Sequence, residues 1–383
     1  MDDNYKKIDN YYYKPTSKPL GKGAFATVFR AYDENQGGKE VAVKVIPAMK
    51  MLENQENYEL FMREIEVLRQ IKGDHIVHLL DVKRTPNNLY IFTEFCNGGD
   101  LDTLLKKNGA VGEETGLEYA YQFCKAFNTI NNLEIKNSSG RKVIIMHRDI
   151  KSANVLFNDD VLKIADFGFA KMIDEASKNV KMQHTLLGTP LYMSPQILND
   201  EAYTPKCDIW SAGFLIYECI FGKMPWTGNS ISNLLKNIRN QPLKFPKPIA
   251  EETQDLLQKM LQINEDKRIS WKEMETHPAI VAAGKKWEAK HAAKLKAKAG
   301  ITTTTTTDTQ VGGTMGMQAG GLQTGGTMGV QQTYPTTTYP QQTYPQQQYT
   351  QPTYPQQGYP QQTGYNQQTG YPGGGYGGYG GFK

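Results

Sequence analysis

The hydrophobic periodicity of the chain changes near residue 100, and this change constrains the fold more than any other feature. Before it, the segments PLGKGAFATVFRAYDE, KEVAVKVIPA and NNLYIFTEFC are rich in the β-branched and aromatic residues of strands. Between the last two, NYELFMREIEVLRQI has apolar residues near helical spacing. After residue 100, helical patterns such as LEYAYQFCKAFNTI and CDIWSAGFLIYECIFG follow. This order predicts an α+β fold with a small β-rich lobe, a larger helical lobe and a ligand cleft between them.

The composition changes again after about residue 280. Residues 281–299, VAAGKKWEAKHAAKLKAKA, hold six Lys against one Glu and are predicted to form a basic Ala/Lys-rich helix or linker. We interpret it as a solvated helix. The alternative is peripheral contact with acidic lipids, where each clustered Lys contributes about 1 kcal/mol.

Residues 300–383 carry only two charged side chains, and Thr, Gln, Gly, Pro and Tyr dominate there. Such a segment buries too little apolar surface to offset its chain entropy, so we predict a disordered tail. Its tyrosines at 334, 339, 344, 349, 354 and 359 repeat with a period of five. The repeat fits either a flexible linker or a row of attachment points for self-association or tail-binding proteins.

Charge and cysteine content limit the classes of partner and compartment. The formal net charge of +4 is too small to indicate nucleic acid as a partner. The four cysteines show no CxxC spacing, which predicts a reduced, cytoplasmic setting. The N-terminal segment MDDNYKKIDNYYY lacks an apolar core, and no window reaches 18 apolar residues, so we expect no signal peptide and no spanning segment.

Two features of the first hundred residues fit phosphate binding. Gly21 and Gly23 in LGKGAFATV allow a tight turn with backbone N–H groups close to an anion, although a glycine pair fits an ordinary hairpin equally well. The loop is neither a Walker loop nor a dinucleotide fingerprint, because a strand follows it rather than a helix. Lys44 ends the apolar strand VAVK, and Glu64 on the next helix could pair with it and direct its ammonium at phosphates.

The segment HRDIKSANVLF places three chemically different side chains before an apolar run. Asp149 is able to accept a proton from a hydroxyl, and Lys151 is able to balance charge on a transferred group. Asn154 offers an amide oxygen to a hard cation such as Mg²⁺. Asp166, in DFG after the apolar strand VLKIA, is the candidate main metal ligand. Each motif is common alone, but all of them in this order are specific.

With these motifs, residues 11–280 resemble a eukaryotic protein kinase domain. The matching segments are LGKGAFATV, VAVK, HRDIKSANVL, DFG, GTPLYMSPQ and CDIWSAG. The Lys two residues after Asp149 and the GT before LYM are similar to serine/threonine kinases rather than tyrosine kinases. The segment TLLGTPLYMSPQIL together with YTPKCDIWSAGFLIYECIFGKMPW resembles the unc-51-like, autophagy-initiating kinases. The implied fold is bilobal, and the implied partners are ATP, Mg²⁺ and proteins with Ser or Thr hydroxyls.

The resemblance also implies a role for each catalytic residue. Asp149 would orient and deprotonate the substrate hydroxyl, and Lys151 would stabilise the γ-phosphate. Lys44, fixed by Glu64, would hold the α- and β-phosphates. The implied Mg²⁺ ligands are Asn154 and Asp166. Because no residue of this set is missing, we predict an active enzyme, and the alternative is a nucleotide-binding pseudokinase scaffold whose tail drives association.

The nucleotide site implied by the resemblance surrounds adenine and the phosphates. Its residues are Leu20, Gly21, Lys22, Gly23, Ala24, Phe25, Ala26, Thr27, Val28, Ala42, Lys44, Thr93, Glu94, Cys96, Asp100 and Leu156. Thr93 falls at the gatekeeper position, and its small side chain would leave a back pocket open. Backbone groups of Glu94 and Cys96 would hold adenine, and Asp100 would reach the ribose.

Two residues depart from the family pattern. Ala26 replaces the usual third glycine of the loop, which is tolerable if its φ is negative. Gln196 replaces the Glu that usually pairs with the residue matched here by Arg268. The loss of the charge-assisted part of that bond costs on the order of 1 kcal/mol, so we expect a softer activation segment.

Regulation is predicted within the activation segment, residues 166–196. A phosphate on Thr185 would add about −1.5 to −2 charge and order the segment through Arg148 and Lys171. An upstream kinase or autophosphorylation in trans would supply it. Thr189 is expected to help fix Asp149 rather than serve as a switch.

Overall fold

The computed structural model describes residues 4–23, 26–49, 62, 65–66, 68–136, 140–167, 170–174 and 190–298. At Lys171 only the backbone is described. Several predictions therefore fall on residues outside this part of the chain. They concern Ala24, Phe25, Glu64, Thr185, Thr189 and the tail at 300–383.

The first lobe is built on one antiparallel sheet. Its strands are β1 (Lys6–Ile8), β2 (Tyr11–Tyr13), β3 (Gly21–Lys22), β4 (Thr27–Asp33), β5 (Lys39–Pro47), β6 (Leu79–Arg84) and β7 (Asn88–Glu94). The order across the sheet is β1-β2-β4-β5-β7-β6, and β3 pairs with β4. In β5 the side chains of Val41 and Val43 are fully buried while Ala42 and Lys44 are only partly so. This alternation with a period of two puts Lys44 on the face opposite the lobe's main core.

The helix predicted between β5 and β6 is present in its described part, because residues 62, 65, 66 and 68–70 are helical. Ile65 is buried and packs against Ile46, Leu89 and Ile91 on the sheet. This packing fixes the helix beside strand β5, which carries Lys44.

The second lobe is helical. Its helices are α1 (Leu101–Asn108), α2 (Glu113–Asn131), α3 (Pro195–Leu198), α4 (Lys206–Phe221), α5 (Ile231–Asn240), α6 (Glu251–Met260), α7 (Trp271–Glu275) and α8 (Pro278–Lys298). Helix α4 is buried almost all round, as its continuous apolar sequence requires, and the other helices pack about it and α2. The predicted bilobal α+β fold is confirmed.

Four short strands line the seam between the lobes. They are β8 (Val143–Met146), β9 (Val155–Asn158), β10 (Val161–Ile164) and β11 (Lys171–Asp174). Strands β9 and β10 form a hairpin, and β8 pairs with β11. The catalytic segment lies between β8 and β9, so both of its ends are held by strands.

None of the helices in the described ranges is long and apolar enough to cross a membrane. All four cysteines are described, and none forms a disulfide. The basic helix predicted at 281–299 is observed as α8, which begins three residues earlier.

Candidate active site

A buried carboxylate in helix α4 holds the catalytic loop. Asp208 accepts hydrogen bonds from the backbone N–H groups of His147 at 2.8 Å and Arg148 at 2.9 Å. Burial raises the pKa of Asp208, and the two N–H groups oppose that rise. The bonds also hold Arg148 in a left-handed conformation with a φ of 64°. Sequence reasoning gave Asp208 no role, although one acid inside the apolar run CDIW is a readable signal.

Lys151 and the predicted metal ligand Asn154 both contact Asp149, the predicted base. Its side chain is almost fully buried, and Oδ2 accepts a hydrogen bond from Lys151 Nζ at 2.7 Å and from Asn154 Nδ2 at 2.8 Å. The Asn154 amide also donates to the Asp149 carbonyl oxygen at 2.8 Å. The carboxylate is therefore fixed in orientation, as a general base requires.

The second acid of the site faces the β-rich lobe. Asp166 Oδ1 accepts a hydrogen bond from Lys44 Nζ at 2.7 Å, and both side chains remain partly exposed to the cleft. Asp166 has a φ of 59°, so its backbone is held in a conformation that a non-glycine residue seldom adopts. The structure thus brings Lys44 to Asp166, while the predicted partner Glu64 lies outside the described residues.

The His147 ring connects the two acids. Its Nδ1 accepts a hydrogen bond from the Asp149 N–H at 3.3 Å, and Nε2 lies 3.1 Å from the Ala165 carbonyl oxygen. The ring also packs edge-on against Phe167, with 4.7 Å between ring centroids. One buried imidazole therefore couples the loop of the base to the loop of the metal ligand.

The donors near Asp166 fit Mg²⁺ rather than a tightly coordinated transition metal. Within the described residues no group of three or more His, Cys, Asp or Glu forms a metal site. The Ala165 N–H donates to the Asn154 carbonyl oxygen at 2.9 Å, which places Asn154 next to Asp166 in space. The Asn154 nitrogen is engaged with Asp149, so its amide oxygen is the remaining donor. Magnesium commonly takes one or two protein oxygens and completes its shell with water and phosphate.

The glycine loop forms the predicted hairpin. Gly21 pairs with Val28 across strands β3 and β4, and the Gly23 N–H donates to the Ala26 carbonyl oxygen at 2.9 Å. The Ala26 side chain is partly buried and packs against the apolar cluster formed by Ile46, Ile65, Leu89 and Ile91. Leu20 opens the hairpin and is half exposed at the cleft.

The predicted adenine contacts lie along β7 and the segment that follows it. Thr93 is directly opposite Ala42 in the sheet. Burial, and then the Glu94 charge, raise the pKa of the Cys96 thiol to about 12, so Cys96 is a neutral side chain here. Both Asp100 carboxylate oxygens accept bonds from Thr103, which makes Asp100 the N-cap of α1 in addition to any ribose contact. Val28 and Leu156 are partly exposed at the seam.

The Glu94 side chain has a further role that the sequence did not reveal. Its Oε1 accepts a hydrogen bond from Lys163 Nζ at 2.9 Å and from the His78 N–H at 2.9 Å. Lys163 is itself buried on β10. The end of strand β7, where the predicted adenine-binding hinge at residues 94–98 begins, is thereby tied to the helical lobe by a charge-assisted bond.

The end of the activation segment is anchored despite the Glu-to-Gln departure. Gln196 Oε1 accepts a hydrogen bond from Arg268 Nη2 at 3.0 Å, and its Nε2 donates to the Ile263 carbonyl oxygen at 2.7 Å. Glu265 lies 3.5 Å from Arg268 Nη1 and also accepts from the Thr204 N–H. Burial lowers the pKa of Arg268 to about 10. The predicted Gln–Arg bond is present, and Glu265 supplies a carboxylate that Gln196 lacks.

A bilobal α+β fold with a buried base, a glycine hairpin and a Lys–Asp pair across the cleft defines the protein kinase class. The family model "Protein kinase domain" matches residues 15–280, and the chain belongs to this family. It carries a serine/threonine protein kinase domain, in agreement with the relatives it matches.

These relatives are serine/threonine kinases of the Atg1, ULK and unc-51 group. Serine/threonine-protein kinase atg1 of Dictyostelium discoideum is 33% identical over 280 residues, which are 71% of this chain and 39% of that protein. ATG1c of Arabidopsis thaliana is 35% identical over 69% of this chain and 35% of its own length. Human ULK3 is 33% identical over 68% of this chain and 53% of its own length. The matched part of this chain thus spans about a third to a half of these relatives, and the predicted resemblance to unc-51-like kinases is confirmed.

Proposed function

We propose that the chain transfers the γ-phosphate of ATP, with Mg²⁺, to Ser and Thr hydroxyls of protein substrates. The observation that carries this proposal is the Asp149 carboxylate, which is buried and held by Lys151 and Asn154. A pseudokinase scaffold would have no need of an oriented base. The complete set of catalytic side chains therefore favours an active enzyme over that alternative.

In this reaction each side chain acts by position and charge. Asp149 orients the substrate hydroxyl and takes up its proton as the oxygen attacks phosphorus. Lys151, 2.7 Å from the same carboxylate, balances negative charge on the transferred group. Lys44 holds the phosphates beside Asp166. Asn154 and Asp166 would hold Mg²⁺, which would supply neutralisation of phosphate charge.

The proposal also covers the pathway, which is inferred from the relatives, and the regulation, which is inferred from the segment around Thr185. The similarity to unc-51-like kinases supports signalling in autophagy or a related pathway. A cytoplasmic location is proposed only from the cysteine pattern of the sequence. Phosphorylation of Thr185, in trans or by an upstream kinase, would order the activation segment through Arg148. The tail at 300–383 would add self-association or partner binding.

The test is phosphate transfer from Mg²⁺-ATP to a generic Ser/Thr protein by the purified full chain. Asp149→Asn and Asp166→Asn are each expected to lower kcat by about 10²-fold or more, because they remove the base and the carboxylate metal ligand. Asp266→Asn makes the same chemical change at an exposed position and should leave kcat unchanged. A wild-type chain that binds ATP but transfers no phosphate, even with Thr185 phosphorylated, would refute the proposal in favour of the scaffold.

A further inference from the structure

Helix α8 lies beyond the catalytic motifs, yet it packs tightly on the helical lobe. Ile280, Ala283 and Gly284 are buried on its inner face. A Cβ atom at Gly284 would stand 2.6 Å from the Tyr121 ring, so only glycine allows this approach. The Trp287 ring follows one turn later, with its centroid 5.8 Å from that of Tyr121. The helix is therefore docked, not merely solvated as its composition predicted.

Four of its lysines form a stripe with a spacing of four residues, which is one side of a helix. They face an acidic row on α2 and on the turn of the β9–β10 hairpin. The pairs are Lys286–Glu114 at 3.8 Å, Lys290–Glu118 at 2.5 Å, Lys298–Asp159 at 2.8 Å, and Lys294–Asp160. Lys285 and Lys296 are exposed and make no ion pair among the described residues. Exposed pairs contribute little stability each, so the stripe sets register while the apolar seam anchors the helix.

One end of this stripe reaches the nucleotide hinge. Lys298 donates to Asp159 Oδ2, and Asn97 donates to Oδ1 of the same carboxylate at 3.0 Å. The Asp159 N–H returns a bond to Asn97 Oδ1 at 2.9 Å. The next residue, Gly98, donates its N–H to the Phe157 carbonyl oxygen at 2.8 Å. The hinge segment thus rests on the hairpin whose turn α8 holds.

A second route starts at Trp287. Its ring contacts the buried His75 ring, with 5.4 Å between centroids. His75 Nδ1 lies 3.2 Å from the Leu162 carbonyl oxygen, and its own carbonyl accepts from the Ile164 N–H at 2.9 Å. Both bonds go to strand β10, which also carries Lys163, the partner of the hinge side chain of Glu94. The two routes from α8 converge on the same hairpin and the same hinge.

We propose that α8 is a positioning element for the nucleotide, which holds the β9–β10 hairpin and through it the hinge at residues 94–98. The proposal rests on the proposed function, because it assigns the hinge to adenine. Detaching the helix weakens ATP binding and leaves the Asp149 geometry intact, since none of the contacts described for α8 involves the catalytic loop. The effect is therefore on KM for ATP and not on kcat.

Two independent variants of the full chain test this. The first is Gly284→Leu, which forces α8 away from Tyr121. Its control is Ala282→Leu, which adds the same side chain at an exposed position of the same helix. Lys294→Glu combined with Lys298→Glu repels the hairpin turn. Lys285→Glu with Lys296→Glu makes the same charge change away from it. Lys294→Arg combined with Lys298→Arg keeps the charge and should preserve wild-type behaviour.

Four quantities are measured: the ATP dissociation constant, kcat, KM for ATP, and hydrogen exchange of the amides at 94–98 in the nucleotide-free chain. Gly284→Leu and the 294/298 Glu pair are expected to raise KM and Kd for ATP by about threefold or more. Their kcat should change by less than about twofold. Their hinge amides should exchange faster, whereas the two controls and the Arg pair should match the wild type.

Unchanged hinge exchange and ATP affinity in both test variants would overturn the inference. An equal effect of Lys285→Glu with Lys296→Glu would also overturn it, because the response would then depend on the charge change alone and not on contact with the hairpin turn. Failure of the proposed function looks different, since the wild type itself would then transfer no phosphate. Hydrogen exchange of the hinge amides is measured without nucleotide. It therefore tests the inference even if the wild type transfers no phosphate.

Discussion

At the scale of single residues, the site is held by bonds from distant parts of the chain. Arg148 and Asp166 both have positive φ, at 64° and 59°. Asp208 accepts from the N–H of the first, and Lys44 binds the side chain of the second. Backbone conformations of this kind cost free energy and persist where the surroundings impose them. The reactive groups are thus oriented by tertiary contacts and not by local preference.

Gln196 gives a prediction at this scale that runs against the family pattern. Gln196→Glu would remove the Nε2–H donor to the Ile263 carbonyl and bring a second carboxylate to Arg268, where Glu265 already lies. We expect the free energy of unfolding to fall by about 1 kcal/mol or more, because the Ile263 bond is lost and two carboxylates repel. Urea unfolding of both proteins measures it.

Gln258→Glu is the matched control for that experiment, since Gln258 is exposed on α6. It should change stability very little. A more stable Gln196→Glu protein would show instead that the Glu–Arg charge pair outweighs both costs in this fold.

At the scale of elements, α8 shows that the sequence pattern of a helix does not identify the surface on which the helix packs. Its Ala and Lys content predicts a helix, and the helix is observed. Its composition alone does not distinguish a solvated helix, a lipid-binding helix and a docked one. The apolar contacts of Gly284 and Trp287 with Tyr121 show that the helix is docked. The acidic row on α2 and the hairpin turn then engages four of its six lysines.

The docking of α8 should respond to acid. Lys290 lowers the pKa of Glu114 below its ordinary 4.5, and Lys298, followed by Asn97, lowers that of Asp159 below its ordinary 3.8. A carboxyl group with a lowered folded-state pKa stabilises the fold above its unfolded value and loses this contribution as pH falls. We therefore expect α8 amides to exchange more easily, after correction for intrinsic rates, as pH drops below 4.5.

The same contacts should be screened by salt, since all four pairs are at the surface. Added salt should loosen α8 at neutral pH and have less effect under acid conditions that protonate Glu114 and Asp159. A helix that loosens as pH rises from neutral would contradict this assignment. The buried core of α4 provides the internal reference for global unfolding.

At the scale of the whole molecule, each lobe has its own buried core. The largest cluster lies in the helical lobe about α2 and α4, and smaller ones lie on the sheet of the other lobe. Between them run localised polar links such as Lys44–Asp166 and Glu94–Lys163. Separate cores joined by localised polar links are the usual arrangement for lobes that move to admit and release a ligand.

Removal of residues 300–383 should leave the Tm and the turnover of an exogenous substrate unchanged. The reason is that the buried core of the described chain is formed within residues 4–298. Differential scanning calorimetry and a steady-state assay measure both quantities.

A shorter chain that ends at residue 277 is the contrasting control, because it also removes α8 and exposes Tyr121. A lower Tm or turnover after the first deletion would show that the tail supports the folded domain.

The fold class and the kind of reaction could be predicted from the sequence alone. The order of strand and helix periodicities predicted two lobes, and the motifs around Asp149 and Asp166 predicted phosphoryl transfer. Both inferences depend on residues close together in the chain, where pattern and side-chain type are directly readable. The match of the family model to residues 15–280 confirms the fold class and supports the predicted chemistry.

Which distant groups meet could be seen only in the folded chain. Asp208 lies 61 residues from His147 and binds its N–H. Glu265 supplies the carboxylate that Gln196 lacks, and Lys298 reaches the hinge through a hairpin turn 139 residues away. Local periodicity does not encode such partners, because they depend on how the lobes and helices pack. The chemistry of the site was therefore readable along the chain, whereas the contacts that hold it in place were settled by long-range packing.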